Sequence, residues 1–379
     1  MQYTRTILYY VSGHGYGHAT RASEIMRALA RRSPETRIVV RTNAPAHLFA
    51  GIPNVTVQST PHSLDPGAVE ETDALGVDVP ATMRRIEQYY RDREALVVGE
   101  AALVRSEKAS LVVADIPPLA GDVAEAAGVP GLAIGNFTWD WIYEPFFVDD
   151  SRRHLLSWIR DGYTKLGTYL RLPFSPGEGH DMFRRVVPVP LVARHASRGP
   201  GEVLARLRID PADRRPRVLL AMRGRIPPQA RASAAAANRD WLFLHFEADA
   251  DDEHENCRGV TLGAELTFGD VLSVCDIAVS KLGYGILSEC VAAGKALLAP
   301  PRRHFREDEV FDREAARYVR WQPISADDFT AGDWSAHLRR LMAMPPAAQT
   351  MPADGADACA KIIASVPGSH RSAKGSDSR

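Results

Sequence analysis

The sequence predicts an α/β protein built from two Rossmann-like domains that face a central cleft. Three observations carry that prediction. The 379 residues exceed what one typical core accommodates. Short apolar runs alternate with amphipathic helical patterns, and the alternation starts afresh after residue 200. In each half a glycine turn separates an apolar strand from a helix, at Gly13–His18 and again at Lys281–Gly285.

The elements follow in order. Residues 6–11 read as a buried strand, and 18–32 as a helix with Ala22, Ile25, Met26 and Leu29 on its apolar face. Arg21, Glu24, Arg27 and Arg31 fall opposite, on the face expected to meet solvent. Strands are expected at 37–42, 55–58, 111–114 and 131–134, with helices over 80–106 and 119–127. The stretch 139–190 is rich in aromatics and predicts one or two packed helices, then an irregular segment around 172–179. Ser-Arg-Gly-Pro-Gly at 197–201 breaks both periodicities and reads as the interdomain linker. The second half predicts strands at 217–222, 241–246, 276–280 and 296–299, and helices at 268–274, 285–293, 309–318, 334–342 and 357–365. The expected division is thus 1–196, 202–345 and a C-terminal helical segment 346–367 that crosses back to the first domain. A polar tail, 368–379, is expected to be disordered.

Composition narrows the function classes. Hydrophobic residues make up 45% and charged residues 25%, as in globular proteins. With 46 basic and 47 acidic residues the net charge is −1, so no basic footprint for nucleic acid is expected. Charges of both signs alternate, as in Arg84-Arg85-Ile86-Glu87, which reads as solvated helix surface. Cys257, Cys275, Cys290 and Cys359 show no CxxC spacing, so reduced thiols and a cytoplasmic location are expected. The apolar run 7–11 is too short for a signal peptide, and no window approaches the ~20 residues of a membrane span. Oligomeric state stays open, a homodimer included.

Four segments carry chemistry. In Ser12-Gly13-His14-Gly15-Tyr16-Gly17-His18, the three glycines allow a tight turn and close approach of a ligand to the backbone. The spacing is not GxGxxG, and the next strand ends Arg41-Thr42-Asn43 without an acidic residue, which disfavours a dinucleotide. His18, at a helix start that disfavours imidazolium, is a candidate general base, with His14 the other candidate. No carboxylate nearby completes a metal site with them, so no metal is expected. Gly13, Gly15, Tyr16 and Gly17 would line the acceptor side of the cleft. The second segment, Asn136-Phe137-Thr138-Trp139-Asp140-Trp141, offers rings for apolar sugar faces and an amide and a carboxylate for hydroxyls. Core packing of the two tryptophans is the competing reading, and Asp140 is a candidate for acceptor binding or catalysis.

In the third, Lys281-Leu282-Gly283-Tyr284-Gly285, a helix N-terminus can hold a diphosphate, with Lys281 adding charge. Ser288 and Glu289 follow on that helix, with Glu289 placed for ribose hydroxyls. The fourth, 300–309, would bring Arg302, Arg303 or Arg306, with Asp308 or Glu309, to the donor, joined by Arg223 from the second domain's first turn.

These segments together resemble the glycosyltransferase-like N-terminal region of plant-type L-arabinokinases and their free-standing bacterial relatives. The stretches that match are GHGYGHATR (Gly13–Arg21), Leu64–Tyr89 beginning LDPGAVEETDALGVD, NFTWDWIY (Asn136–Tyr143) and KLGYGILSE (Lys281–Glu289). No GHMP-type phosphate loop follows Pro300, so arabinokinase activity is not expected. More distantly the layout is similar to the undecaprenyl-linked N-acetylglucosaminyltransferases, whose glycine-loop His and donor-helix Glu correspond to His18 and Glu289. Met222-Arg223-Gly224-Arg225 stands where those enzymes carry a glycine/serine phosphate turn. The resemblance implies a GT-B fold and sugar transfer from a nucleotide-diphosphate sugar, most simply of the UDP type, to a hydroxyl of a small acceptor. Nucleotide-sugar 2-epimerisation, for which Asp115, Asp140 and Glu144 are the available carboxylates, and non-catalytic binding of a nucleotide or sugar are the rival expectations.

Overall fold

The computed structural model describes residues 3–60, 62–148, 150–222, 226–247 and 254–367; Arg223 and the 368–379 tail lie outside the described residues. Seven strands form the first sheet: β1 (Arg5–Val11), β2 (Thr36–Thr42), β3 (Val55–Ser59), β4 (Leu111–Asp115), β5 (Gly131–Gly135), β6 (Thr168–Arg171) and β7 (Arg185–Pro188). They run parallel in the order β3-β2-β1-β4-β5-β6-β7. The second sheet holds β8 (Arg217–Leu220), β9 (Leu242–His245), β10 (Cys257–Gly259), β11 (Ile277–Val279), β12 (Ala296–Ala299) and β13 (Trp321–Pro323). It too is parallel, in the order β10-β9-β8-β11-β12-β13.

Ile7–Val11 are wholly buried, because a parallel strand covered by helices on both faces needs an unbroken apolar run rather than an alternating one. The first domain's helices are α1 (Gly17–Arg32), α2 (Val79–Ser106), α3 (Leu119–Ala127), α4 (Trp139–Tyr143) and α5 (Arg153–Thr164). The second domain adds α6 (Pro200–Arg206), α7 (Pro228–Ala237), α8 (Phe268–Ser273), α9 (Tyr284–Ala293), α10 (Glu307–Glu314), α11 (Ala326–Ala331) and α12 (Ser335–Ala343). Caps set several ends. Asp78 accepts the Ala81 N–H at 2.8 Å to start α2, Thr267 and Asp270 form a reciprocal box at the start of α8, and Gly294, at φ 66°, ends α9.

Two expectations need correction, and two strands were not foreseen. Residues 172–179 form no helix or strand, as expected, but β6 and β7 lie on either side of them and extend the sheet; their four residues each are too short for periodicity to reveal. The stretch 197–201 is not a free linker. Ser197 and Arg198 donate their N–H groups to Asp270 at 2.6 and 3.0 Å, and Pro200 opens α6, a position where proline starts helices rather than breaking them. Arg21 is not on the solvent face of α1 but 4% exposed.

The last helix, α13 (Gly355–Ser365), packs on α1 of the first domain. Arg5 holds its end through the carbonyls of Ile363 and Ala364, at 3.4 and 3.1 Å. A side chain at Gly355 would meet the Pro190 carbonyl at 2.1 Å, so glycine is required for that close approach. In each sheet the strand order reverses once, beside β1 and beside β8. Turns leaving neighbouring strands diverge at such points and open a crevice at the strands' C-terminal ends.

Candidate active site

The crevice of the first sheet is built by the turns after β1, β4 and β5. His18, in the first turn of α1, sets Nδ1 2.8 Å from Oδ1 of Asp115, the last residue of β4. Arg21, one turn further along α1, forks onto the same carboxylate, Nη2 to Oδ1 at 2.6 Å and Nε to Oδ2 at 2.7 Å. Its Nη1 donates to the Asn136 side chain at 2.7 Å, and Asn136 in turn donates to Glu307 of the second domain at 2.6 Å. All five side chains are buried. Burial alone would raise the Asp115 carboxyl, but the Arg21 guanidinium and the His18 hydrogen bond hold it below the ordinary carboxylate range. The same Nδ1 also lies 3.0 Å from Arg21 Nη2; a proton on Nδ1 would satisfy the carboxylate and leave Nε2 as the acceptor.

His14 occupies a different niche. Its Nδ1 accepts the Ala68 N–H at 3.4 Å. Its ring stacks near Phe305 of the second domain at 6.0 Å and meets Trp139 edge-on at 5.5 Å. Burial, and then the charges of His18, Lys281, Arg302 and Arg85, push it down to about 3. It is therefore a neutral hydrogen-bonding group at neutral pH.

The residues expected on the acceptor side do not share one environment. Gly15, with φ +68°, and Tyr16, half exposed, form the open lip of the turn. Gly13 packs on Asn43, and Gly17 meets the second domain, its Cα lying 3.6 Å from where a Cβ on Gly285 would be. Trp139 is wholly buried and stacks on Tyr143 at 5.2 Å, its ring 5.5 Å from that of His14 and 6.3 Å from that of His18. Trp141 lies under the Arg306 guanidinium at 4.6 Å. Asp140 is not brought to the histidines: it is buried, its carboxyl raised by burial, and its charged neighbour is Arg160 at 3.8 Å.

Among the residues expected to meet the donor, those of α9 lie where its N-terminus approaches α1. Tyr284 lies beneath Arg21 at 5.3 Å and accepts the Val192 N–H at 3.4 Å. Gly283 is extended, and Ser288 turns back to the Gly285 carbonyl at 2.8 Å. The charged candidates are each paired within the protein: Lys281 with Glu70, Glu289 with Arg194, Arg306 with Glu144, and Asp308 with Arg302. Glu309 is largely exposed, 3.9 Å from Arg306. Beside them a cleft of about 1060 Å³ runs between residues 71–80 of the first domain and 301–312 of the second. Among the described residues no three His, Cys, Asp or Glu side chains converge as metal ligands, and no helix is long and apolar enough to cross a membrane.

Sequence reasoning named Asp115 only for the rival epimerisation; its pairing with His18, and Arg21, which anchors it, were missed. Two signals bear on them. Asp115 ends a strand that pairs with β1, Val11 opposite Asp115, and Arg21 stands three residues after His18, hence on its face of the helix. Glu307, paired to Arg302 at 2.7 Å, was passed over in favour of its neighbours.

No protein-family model matches the chain. It is 29% identical over 343 residues to the L-arabinokinase of Arabidopsis thaliana, which covers 89% of this chain. The chain spans about a third, 32%, of that protein's length. Among solved structures it superposes on the glycosyltransferase of kitacinnamycin with a TM-score of 0.60 at 15% identity, covering 95% of this chain and 98% of the other. The glycosyltransferase VinC in complex with dTDP gives 0.59 at 18% identity, covering 94% of each chain. Two parallel α/β domains meeting at their crevices, superposing end to end on such enzymes, establish that the chain has the GT-B glycosyltransferase fold.

Proposed function

We propose that the protein transfers a sugar from a nucleotide-diphosphate sugar to a hydroxyl of a small acceptor, with His18 as general base. The observation that carries this reading is the buried His18–Asp115–Arg21 cluster, set at the first domain's switch point opposite the N-terminus of α9. Asp115 holds His18 in one tautomer, so the acceptor proton passes to Nε2 as the oxygen attacks the anomeric carbon. The bond from that carbon to the diphosphate breaks, and the diphosphate leaves with the electron pair. Its charge is met by the α9 N-terminus and Lys281 once Glu70 gives way, without a resident metal. A uridine or thymidine diphosphate is the expected carrier; the dTDP complex of the VinC neighbour favours that class. Epimerisation is less well supported, because Asp115, Asp140 and Glu144 each face an arginine rather than one another.

A thermal-shift screen of nucleotides and nucleotide sugars tests the donor half. UDP or dTDP is expected to raise Tm, and Glu289→Ala to diminish the rise. A chain that no nucleotide stabilises would sink the proposal.

A further inference from the structure

We propose that Asp65 is an acceptor-binding residue that selects polyhydroxyl acceptors, holding a second hydroxyl while His18 takes the proton from the first. This rests on the glycosyltransferase reading and deepens it, because it names the acceptor class as sugars and polyols.

Asp65 lies within the segment that runs from β3 to α2, and it is 1% exposed. Its Oδ2 accepts the Trp139 indole N–H at 2.9 Å. Its Oδ1 is buried and has no hydrogen-bond partner. Buried polar atoms almost always find partners, and a ligand group is one that would satisfy an exception beside a crevice. A carboxylate oxygen only accepts, so the fitting group is a donor such as a sugar hydroxyl.

The position suits that task. The Trp139 ring that Asp65 holds lies 5.5 Å from the His14 ring and 6.3 Å from the His18 ring. Two residues on, Gly67 packs against His14, and Ala68 donates to His14 Nδ1. Asp65 therefore stands one indole away from both histidines, on the segment that lines the acceptor side. Burial raises its carboxyl, while the Ser12 hydroxyl, which also donates toward this carboxylate, His18 and the indole pull it back.

The test uses the full chain with UDP-glucose and dTDP-glucose. One acceptor set is polyhydroxyl (monopyranoses, methyl pyranosides and myo-inositol); the other is monohydroxyl (phenols and simple alcohols). Wild type is expected to favour the polyhydroxyl set. Asp65→Asn should lower kcat/KM for that set about 10–100-fold, the share of one charged hydrogen bond. The loss should fall on acceptor KM, with the monohydroxyl set nearly unchanged and the nucleotide-induced Tm rise intact. Trp139→Phe removes the indole donor but not the carboxylate, so it should keep the polyhydroxyl preference. Equal losses on both sets, or a wild type indifferent to the second hydroxyl, would overturn the assignment and leave Asp65 a scaffold for Trp139. A wild type that binds nucleotide yet transfers to nothing would bring down the glycosyltransferase reading, and this inference with it.

Discussion

His18 and Asp115 are 97 residues apart in sequence and meet at 2.8 Å, the first at the start of α1 and the second at the end of β4. That contact is a consequence of strand order. β1 and β4 are neighbours only because the chain reverses direction across the sheet there, and Val11 pairs with Asp115 as a result. The same reversal opens the crevice, so one topological event supplies both the histidine with its carboxylate and the space beside them.

His18→Ala is expected to lower kcat/KM about 10²–10⁴-fold, as loss of a general base does. Nucleotide binding, followed by thermal shift, should be unchanged, since Lys281 and Glu289 belong to the other domain. Turnover equal to wild type would rule His18 out as the base.

Arg21→Met should destabilise the fold by about 3–5 kcal/mol in urea unfolding, because it leaves the Asp115 charge buried without its principal partner. The double variant Arg21→Met, Asp115→Asn should recover part of that loss, since no unpaired charge is then left inside. The Asp115 carboxyl is held below its ordinary value in the folded state. Its contribution is therefore fully present above the unfolded pKa of about 4 and is lost as pH falls through the lower folded value. Additive losses in the double variant would show that the two residues do not act as a pair.

The paired sheets and His18 were legible because each leaves a local signature. Apolar runs such as Ile7–Val11 announce parallel strands, and a histidine in a glycine turn is out of place unless it has a task. Arg21 was not legible as a site residue. An arginine facing away from the apolar stripe of a helix reads as solvent-exposed, and only the arrival of Asp115 from a distant strand turns that face inward. Asp65 is similar: its burial depends on α2, α4 and the β3–α2 segment closing over it, which no periodicity encodes. The ion pairs of Lys281 and Glu289 were invisible for the same reason, since Glu70 and Arg194 lie 211 and 95 residues away.

Lys281 and Glu70 form an ion pair across the cleft with both side chains partly open to solvent. A diphosphate that uses Lys281 has to displace that carboxylate. Glu70→Gln should therefore tighten UDP binding about two- to five-fold by calorimetry, the scale of one partly exposed pair. Lys281→Met should weaken it, and raised salt should narrow the difference between the two variants. Weaker UDP binding in Glu70→Gln would mean that the pair organises the donor site instead of competing for it.

His14 gives stability a pH dependence whose sign follows from its surroundings. Burial and the nearby His18, Lys281, Arg302 and Arg85 lower its pKa to about 3, so the folded protein binds fewer protons than the unfolded chain between there and about 6.5. Stability should accordingly be flat in this residue above pH 6.5 and fall as pH drops from 6.5 toward 3. The slope contributed is at most about 1.4 kcal/mol per pH unit. His180, lowered to about 4 by burial and Arg171, acts in the same direction. His14→Gln keeps an acceptor for the Ala68 N–H but cannot take up a proton. It should flatten the urea-unfolding free energy between pH 6.5 and 4.5, above the range where carboxylates dominate. An unchanged slope in that variant would show that His14 protonates as readily in the folded protein as in the unfolded chain, and that the charged ring around it does not hold it neutral.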